Sequence, residues 1–245
     1  MAETSAQNET PSSFSRFLWE KPELLTPEEH GKLGITPTDS RFSFTADTRG
    51  IPLTMVEFRS AQRDYPIVFS SDKEPVPIAA VGLEGSGNLF LEAEGRWAPD
   101  VYVPAYIRAH PFALAKAGND RYAVVIDRAA PVVSENPRTP FFVDGEMTDT
   151  IRQAVEFSQN YDAETERTRH FGERLRDLDL LTLQRMRRQG SEKDEVRYFA
   201  VDADRLSALP EETIATLFKE GYLAAIIAHL FSLDQWNVLL RRSGR

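Results

Sequence analysis

The 245-residue chain has no cysteine. That excludes disulfides, thiolate nucleophiles and every zinc or iron–sulfur site built on cysteine ligands. Uncharged apolar runs are short, and none approaches the roughly 18–20 residues that span a bilayer. The best candidate, 222–233, carries His229 and reads as a buried helix, so no membrane span is expected. A basic start followed by an apolar stretch is also missing, since residues 1–15 are polar and acidic. That is no secretory signal. The expectation is cytoplasmic residence, with export by a non-classical route left open. Positive charge is in deficit: 29 Lys and Arg against 38 Asp and Glu leave a formal net charge of -9. Such a surface repels phosphates on average, so nucleic acid is not an expected partner. Histidine is scarce as well. His30, His110, His170 and His229 form no HxH or HxxxH pattern. No metal and no cofactor are expected.

What remains is ordinary globular material, 41% hydrophobic and 27% charged, in a chain long enough to bury a full core. Residues 1–13 offer almost nothing to bury and read as a disordered tail. Residues 14–245 read as a single α+β domain, strand-rich over 40–145 and helix-rich over 146–245. Its first half is expected to carry a mainly antiparallel sheet and its C-terminal half the helices.

Thr26-Pro27-Glu28-Glu29 is a capping-box pattern that predicts a short helix, with Thr26 as cap and Pro27 in the first turn. Strands are predicted over 41–46, 54–58, 65–69, 76–83, 88–92, 122–127 and 196–201, with a helical turn over 56–62 as the alternative to the second of these. A hairpin is expected to join 78–83 to 89–93 across the glycine turn Gly85-Ser86-Gly87. Few breakers interrupt 148–188, which reads as one long helix or two broken near Asn160 or Gly172. Further helices are expected over 210–219 and 222–231, with Gly221 between them. Ser232-Leu233-Asp234-Gln235 is read as a second capping box that starts a terminal turn.

The glycine turn lacks the lysine of a phosphate loop and precedes strand, so it reads as a turn. Asp144, Glu146 and Asp149 form an acidic cluster. Acid–base work is one reading, and a turn followed by a helix N-terminus is the other. His110 is the one histidine suited to test as catalytic, together with Asp144. His229, in an apolar helix, reads as a satisfied core histidine.

The densest block is Tyr102-Val103-Pro104-Ala105-Tyr106-Ile107-Arg108-Ala109-His110-Pro111-Phe112-Ala113-Leu114. Here one arginine stands among aromatics and two prolines. Burying a lone guanidinium is costly without a partner. Arg108 therefore either anchors an anion beside Trp97, Tyr102, Tyr106 and Phe112, or closes a buried salt bridge with Glu57 or Asp127. The ligand-binding candidates are these five: Arg108, Trp97, Tyr102, Tyr106 and Phe112.

These blocks also resemble a known family. Tyr65-Pro66-Ile67-Val68-Phe69, Gly95-Arg96-Trp97, the 102–108 run with Pro111-Phe112, Phe199-Ala200-Val201-Asp202 and Ile227-Ala228-His229-Leu230-Phe231 are similar, in order and combination, to the bacterial SapC family. The resemblance covers roughly residues 40–240. The family takes its name from a surface-layer locus. Its members tend to be encoded near flavin-dependent halogenase-like proteins, cupin-like proteins and TonB-dependent receptors. It implies an accessory or binding protein that serves an outer-membrane uptake or peptide or small-molecule modification system. A protein or peptide partner and a small anionic ligand are the partners expected. An enzyme or enzyme subunit with an Arg-anchored anionic substrate, and a surface-layer component, are the alternatives.

Overall fold

The computed structural model describes residues 16–116, 122–187 and 195–244. The tail expected over 1–13 lies outside them. The chain opens with β1 (Pro22–Leu24), α1 (Pro27–His30), β2 (Gly34–Ile35), β3 (Gly50–Pro52), α2 (Phe58–Ala61), β4 (Ile67–Phe69) and β5 (Pro77–Ala80). Then come α3 (Ala105–Ala109), β6 (Phe112–Lys116), β7 (Tyr122–Asp127), β8 (Val133–Ser134), β9 (Thr139–Pro140), β10 (Phe142–Val143) and β11 (Glu146–Met147). The long α4 (Asp149–Asp177) leads to β12 (Leu181–Arg187), β13 (Glu195–Val201), α5 (Ala203–Ser207), α6 (Glu211–Lys219), α7 (Tyr222–Ser232) and α8 (Trp236–Arg242). Antiparallel sheets dominate the first half and helices the C-terminal part, so the fold is α+β as expected.

Two compact units are present. The first comprises 1–45, 93–96 and 109–160. Its sheet has the order β1-β7-β6, with β7 in the middle, and β2 pairs with both β8 and β9. Phe112 and Leu114 of β6 and Ile126 of β7 are buried together with Leu25, Phe141 and, from α4, Ile151 to make its core. Thr26 caps α1 by accepting from Glu29 N at 3.4 Å. The returning half of the expected box comes from a different residue: Thr26 N donates to His30 Nδ1 at 3.2 Å. Nε2 then faces Glu23 at 3.1 Å, which buries His30 with both nitrogens satisfied.

The second unit comprises 46–92, 97–108 and 161–245. Its five-stranded sheet has the order β12-β13-β4-β5-β3. Phe58, Phe69 and Tyr222 converge on Phe171. His229 is the satisfied core histidine of the sequence reading. It is fully buried, its Nδ1 donates to Ile67 O at 2.8 Å, and its Nε2 accepts from Val201 N at 3.0 Å. It thereby links β4 to β13, and burial pulls its pKa down to about 4.

Several local expectations change. Over 41–46 the chain makes a turn at Ser43–Thr45, because Thr45 Oγ1 bonds back to Phe42 O and competes with strand pairing. Of the two readings of the 54–62 stretch, the helical turn holds and the strand does not: a turn at Met55–Glu57 leads into α2. No hairpin forms across 82–88. Leu89 N reaches Val81 O, but Ser86 ties the loop to Leu83, and Leu91 bridges Trp97. At Gly87, φ is +63° and Ala46 O lies 2.6 Å from where a Cβ would stand, so only glycine fits. The edge strand β12 falls at the end of the 148–188 stretch, where the sequence predicts helix, and is paired with β13 from Leu181↔Val201 onward. Ser232 does not cap a new helix. It is itself helical, and its hydroxyl accepts from Ile67 N at 2.9 Å. The run Tyr222–Arg242 is, by length and composition alone, apolar enough to cross a membrane. In this unit it supplies the buried Ile226, His229, Trp236 and Leu239.

Candidate functional site

The site grows from Thr54-Met55-Val56-Glu57. Thr54 is extended and Glu57 is the third residue of the turn, so the Glu57 side chain folds back on the cap. Its Oε2 accepts from Thr54 N and from Thr54 Oγ1, each at 2.8 Å. Its Oε1 accepts from Ala105 N at 2.6 Å and from Tyr102 OH at 3.0 Å. Glu57 is buried, and these four donors take the place of water around its charge. Ala105 N is also the first donor of α3, one of the groups a helix start leaves without an internal partner. A single carboxylate therefore ties two distant stretches of sequence together.

Tyr102 is fixed at three points. Its N–H donates to Asp64 Oδ2 at 2.9 Å, its carbonyl accepts a short bond from Tyr65 OH, and its own hydroxyl goes to Glu57. Burial, followed by the charge of Glu57, pushes its pKa up to about 12 against the opposing pull of Arg108. It is therefore a phenol at neutral pH. Trp97 is buried and donates its indole N–H to Tyr65 OH at 3.0 Å. Trp97 thus holds the residue that holds Tyr102. Burial raises the Tyr65 phenol well above its usual range.

Arg108 is exposed, one turn beyond the Ala105 N–H. Its guanidinium lies over the Tyr102 ring, 5.7 Å from the centroid, and donates to Tyr102 OH at 3.2 Å. The buried salt bridge weighed from the sequence is not how Glu57 and Asp127 are engaged. Glu57 is reached through Tyr102, and Asp127 is bound to His110. Tyr106 sets its ring against Tyr161 at 6.3 Å. Tyr161 lines a cavity of about 500 Å³, with Leu53, Pro75, Val76 and Thr168 among the other walls. Thr168 Oγ1 accepts from Met55 N at 2.8 Å, which joins α4 to the same turn that carries Glu57.

The other sequence candidates lie in the first unit. Phe112 is a core residue of β6, packed edge-on against Phe141. His110 is buried, its Nε2 3.0 Å from Asp127 Oδ2, with Phe44 stacked on the ring and Trp19 at its edge. Burial alone would raise the Asp127 carboxyl. Hydrogen bonds from His110, Glu20 N and Lys21 N overcome it and hold it at about 2. Asp144 and Gly145 are the two central residues of the β10–β11 hairpin, at φ +51° and +78°. That is the Asp-Gly turn chemistry of a tight hairpin. Asp149 starts α4 and is paired with Arg152. The acidic cluster is thus distributed over a turn and a helix start. Among the described residues no three His, Asp or Glu side chains are grouped to hold a metal ion.

The anchor that sequence reasoning did not rank is Glu57. Its signal was the Thr-x-x-Glu spacing at 54–57, hidden inside a segment that also reads as strand.

The family model described as SapC matches residues 25–239. The chain belongs to the SapC family. No curated protein and no solved structure matches it.

Proposed function

We propose that this SapC-family chain is a binding or accessory protein that captures an anionic group, a carboxylate on a peptide or small molecule, at Arg108. The observation that carries the reading is the series Glu57–Tyr102–Arg108. An exposed arginine ordinarily gives up close to 2 kcal/mol of rotamer freedom when a ligand fixes it. Here the Tyr102 ring and hydroxyl already hold the guanidinium. A buried carboxylate holds Tyr102 in turn. A preorganised cation loses less on binding. Tyr106 and Trp97 complete the proposed site, one through the Tyr161 wall of the cavity and one from behind Tyr65. Phe112 is left out of it. His110, bonded to Asp127 beneath Phe44, is assigned a structural part.

The test is thermal unfolding with a randomised library of acetylated tripeptides, one half with free C-terminal carboxylates and the other half amidated. A ligand at about 100 times its Kd adds about 2.7 kcal/mol to folding stability. The free acids should raise Tm with concentration and the amides should not. Arg108→Ala should abolish the rise and leave the unliganded Tm in place. Equal responses to acids and amides would contradict the reading.

A further inference from the structure

The helix α7 has eleven residues and no charged side chain. One face is accounted for, since Ala225, Ile226, Ala228, His229 and Ser232 are buried in the second unit. The opposite face is not. Ile227 is 41% exposed and Phe231, one turn on, is 68% exposed. Across from them Val56, in the turn before α2, is 53% exposed. A helix apolar on all sides is normally covered on all sides. Between these elements runs a groove of about 410 Å³, lined by Val56, Phe58, Arg59, Ala224, Ile227 and Phe231 among others. Ala224, Ile227 and Phe231 follow the i, i+3, i+7 spacing of one helix face, which can receive an apolar helix stripe.

The charged rim narrows the choice of occupant. Arg167 is paired with Glu164 at 2.9 Å, and Glu220 faces Arg174 at 4.0 Å. Arg59 forms no ion pair among the described residues; its carbonyl accepts from Gln62 Nε2. The groove therefore offers an apolar stripe with one uncompensated cation at its edge. An anionic lipid surface fits less well, because the chain as a whole carries a net charge of -9. A second copy brings the same rim, whose one acid, Glu220, already faces Arg174.

We propose that the groove between α2 and α7 docks an amphipathic helix of a protein partner, with a carboxylate beside its apolar stripe to meet Arg59. The groove borders the turn that carries Glu57 but is lined by none of Glu57, Tyr102 and Arg108, and the proposal stands or falls separately from the Arg108 site.

The probe is a fluorescein-labelled 14-residue peptide, acetylated and amidated. It has leucine at i, i+3, i+4 and i+7 and glutamate along one flank. A twin carries lysine in place of each glutamate. Fluorescence polarisation is read on the full chain. The glutamate peptide should saturate, and the lysine twin should bind at least tenfold more weakly. Phe231→Ser should weaken the glutamate peptide at least tenfold. Arg59→Glu should reverse the order of the two peptides, which loss of folding cannot do. Equal affinity for both peptides, no saturable binding, or no reversal in Arg59→Glu overturns the proposal. So does saturable binding to phosphatidylglycerol vesicles, or self-association, that Phe231→Ser removes while neither peptide binds.

Discussion

The Tyr102 hydroxyl donates to the buried Glu57 carboxylate at 3.0 Å, from a residue 45 positions later in the chain. The same oxygen accepts from Arg108. An internal charge is thereby connected to an exposed one through a single phenol.

Removing that internal charge has a calculable cost. Glu57→Ala leaves Thr54 N, Thr54 Oγ1, Ala105 N and Tyr102 OH without their acceptor. A buried donor left unsatisfied costs about 1–3 kcal/mol. The variant should lose at least about 3 kcal/mol in urea unfolding, read as a lower midpoint at unchanged slope. Tyr102→Phe removes two bonds, the one donated to Glu57 and the one accepted from Arg108, and should cost about 1–3 kcal/mol.

Gly172 sits inside α4, where alanine would ordinarily gain about 1 kcal/mol. A Cβ there would stand 2.5 Å from the Pro75 carbonyl oxygen. The helix and the 75–77 segment would have to separate. Gly172→Ala should therefore destabilise, by about 1–3 kcal/mol, despite the gain in helix propensity. Chemical denaturation measures it, and a stabilised variant would contradict the close approach.

His229 gives the fold a pH dependence of definite sign. Its folded pKa, about 4, lies below the value of about 6.5 expected in the unfolded chain. Between those values the unfolded state binds a proton that the folded state refuses. Stability should thus be fully present above about pH 6.5 and fall as pH drops toward 4, by about 3 kcal/mol from this group. His229→Gln should flatten that part of the profile, measured as midpoint against pH.

The sequence shows best what local chemistry decides. The Thr26 cap, the Asp144-Gly145 turn, the stop at Gly221 and the buried role of His229 each follow from residue type and immediate neighbours. Elements decided by distant partners were harder to see. The strand β12 alternates weakly, and only pairing with β13 distinguishes it from the helical charge pattern that precedes it. The 82–88 loop looks like a hairpin until Ser86 is seen holding Leu83 and Gly87 approaching Ala46 O. Gly172 reads as a helix breaker, whereas it is the space that lets Pro75 approach an unbroken helix. The aromatic block around Arg108 was visible at once, but Phe112 belongs to a different core. The carboxylate that organises Tyr102 lies 45 residues upstream, where no spacing rule connects the two.

The most direct measurement is native mass spectrometry of the protein purified from its own cells, wild type beside Arg108→Ala. The account predicts that the wild type carries additional mass from an acid-bearing ligand. Arg108→Ala should lose that mass while unfolding at the same urea midpoint, within about 0.5 kcal/mol, as expected for an exposed substitution. A variant that keeps the bound mass, or one that loses it only because it no longer folds, contradicts the assignment of Arg108 as the anion anchor.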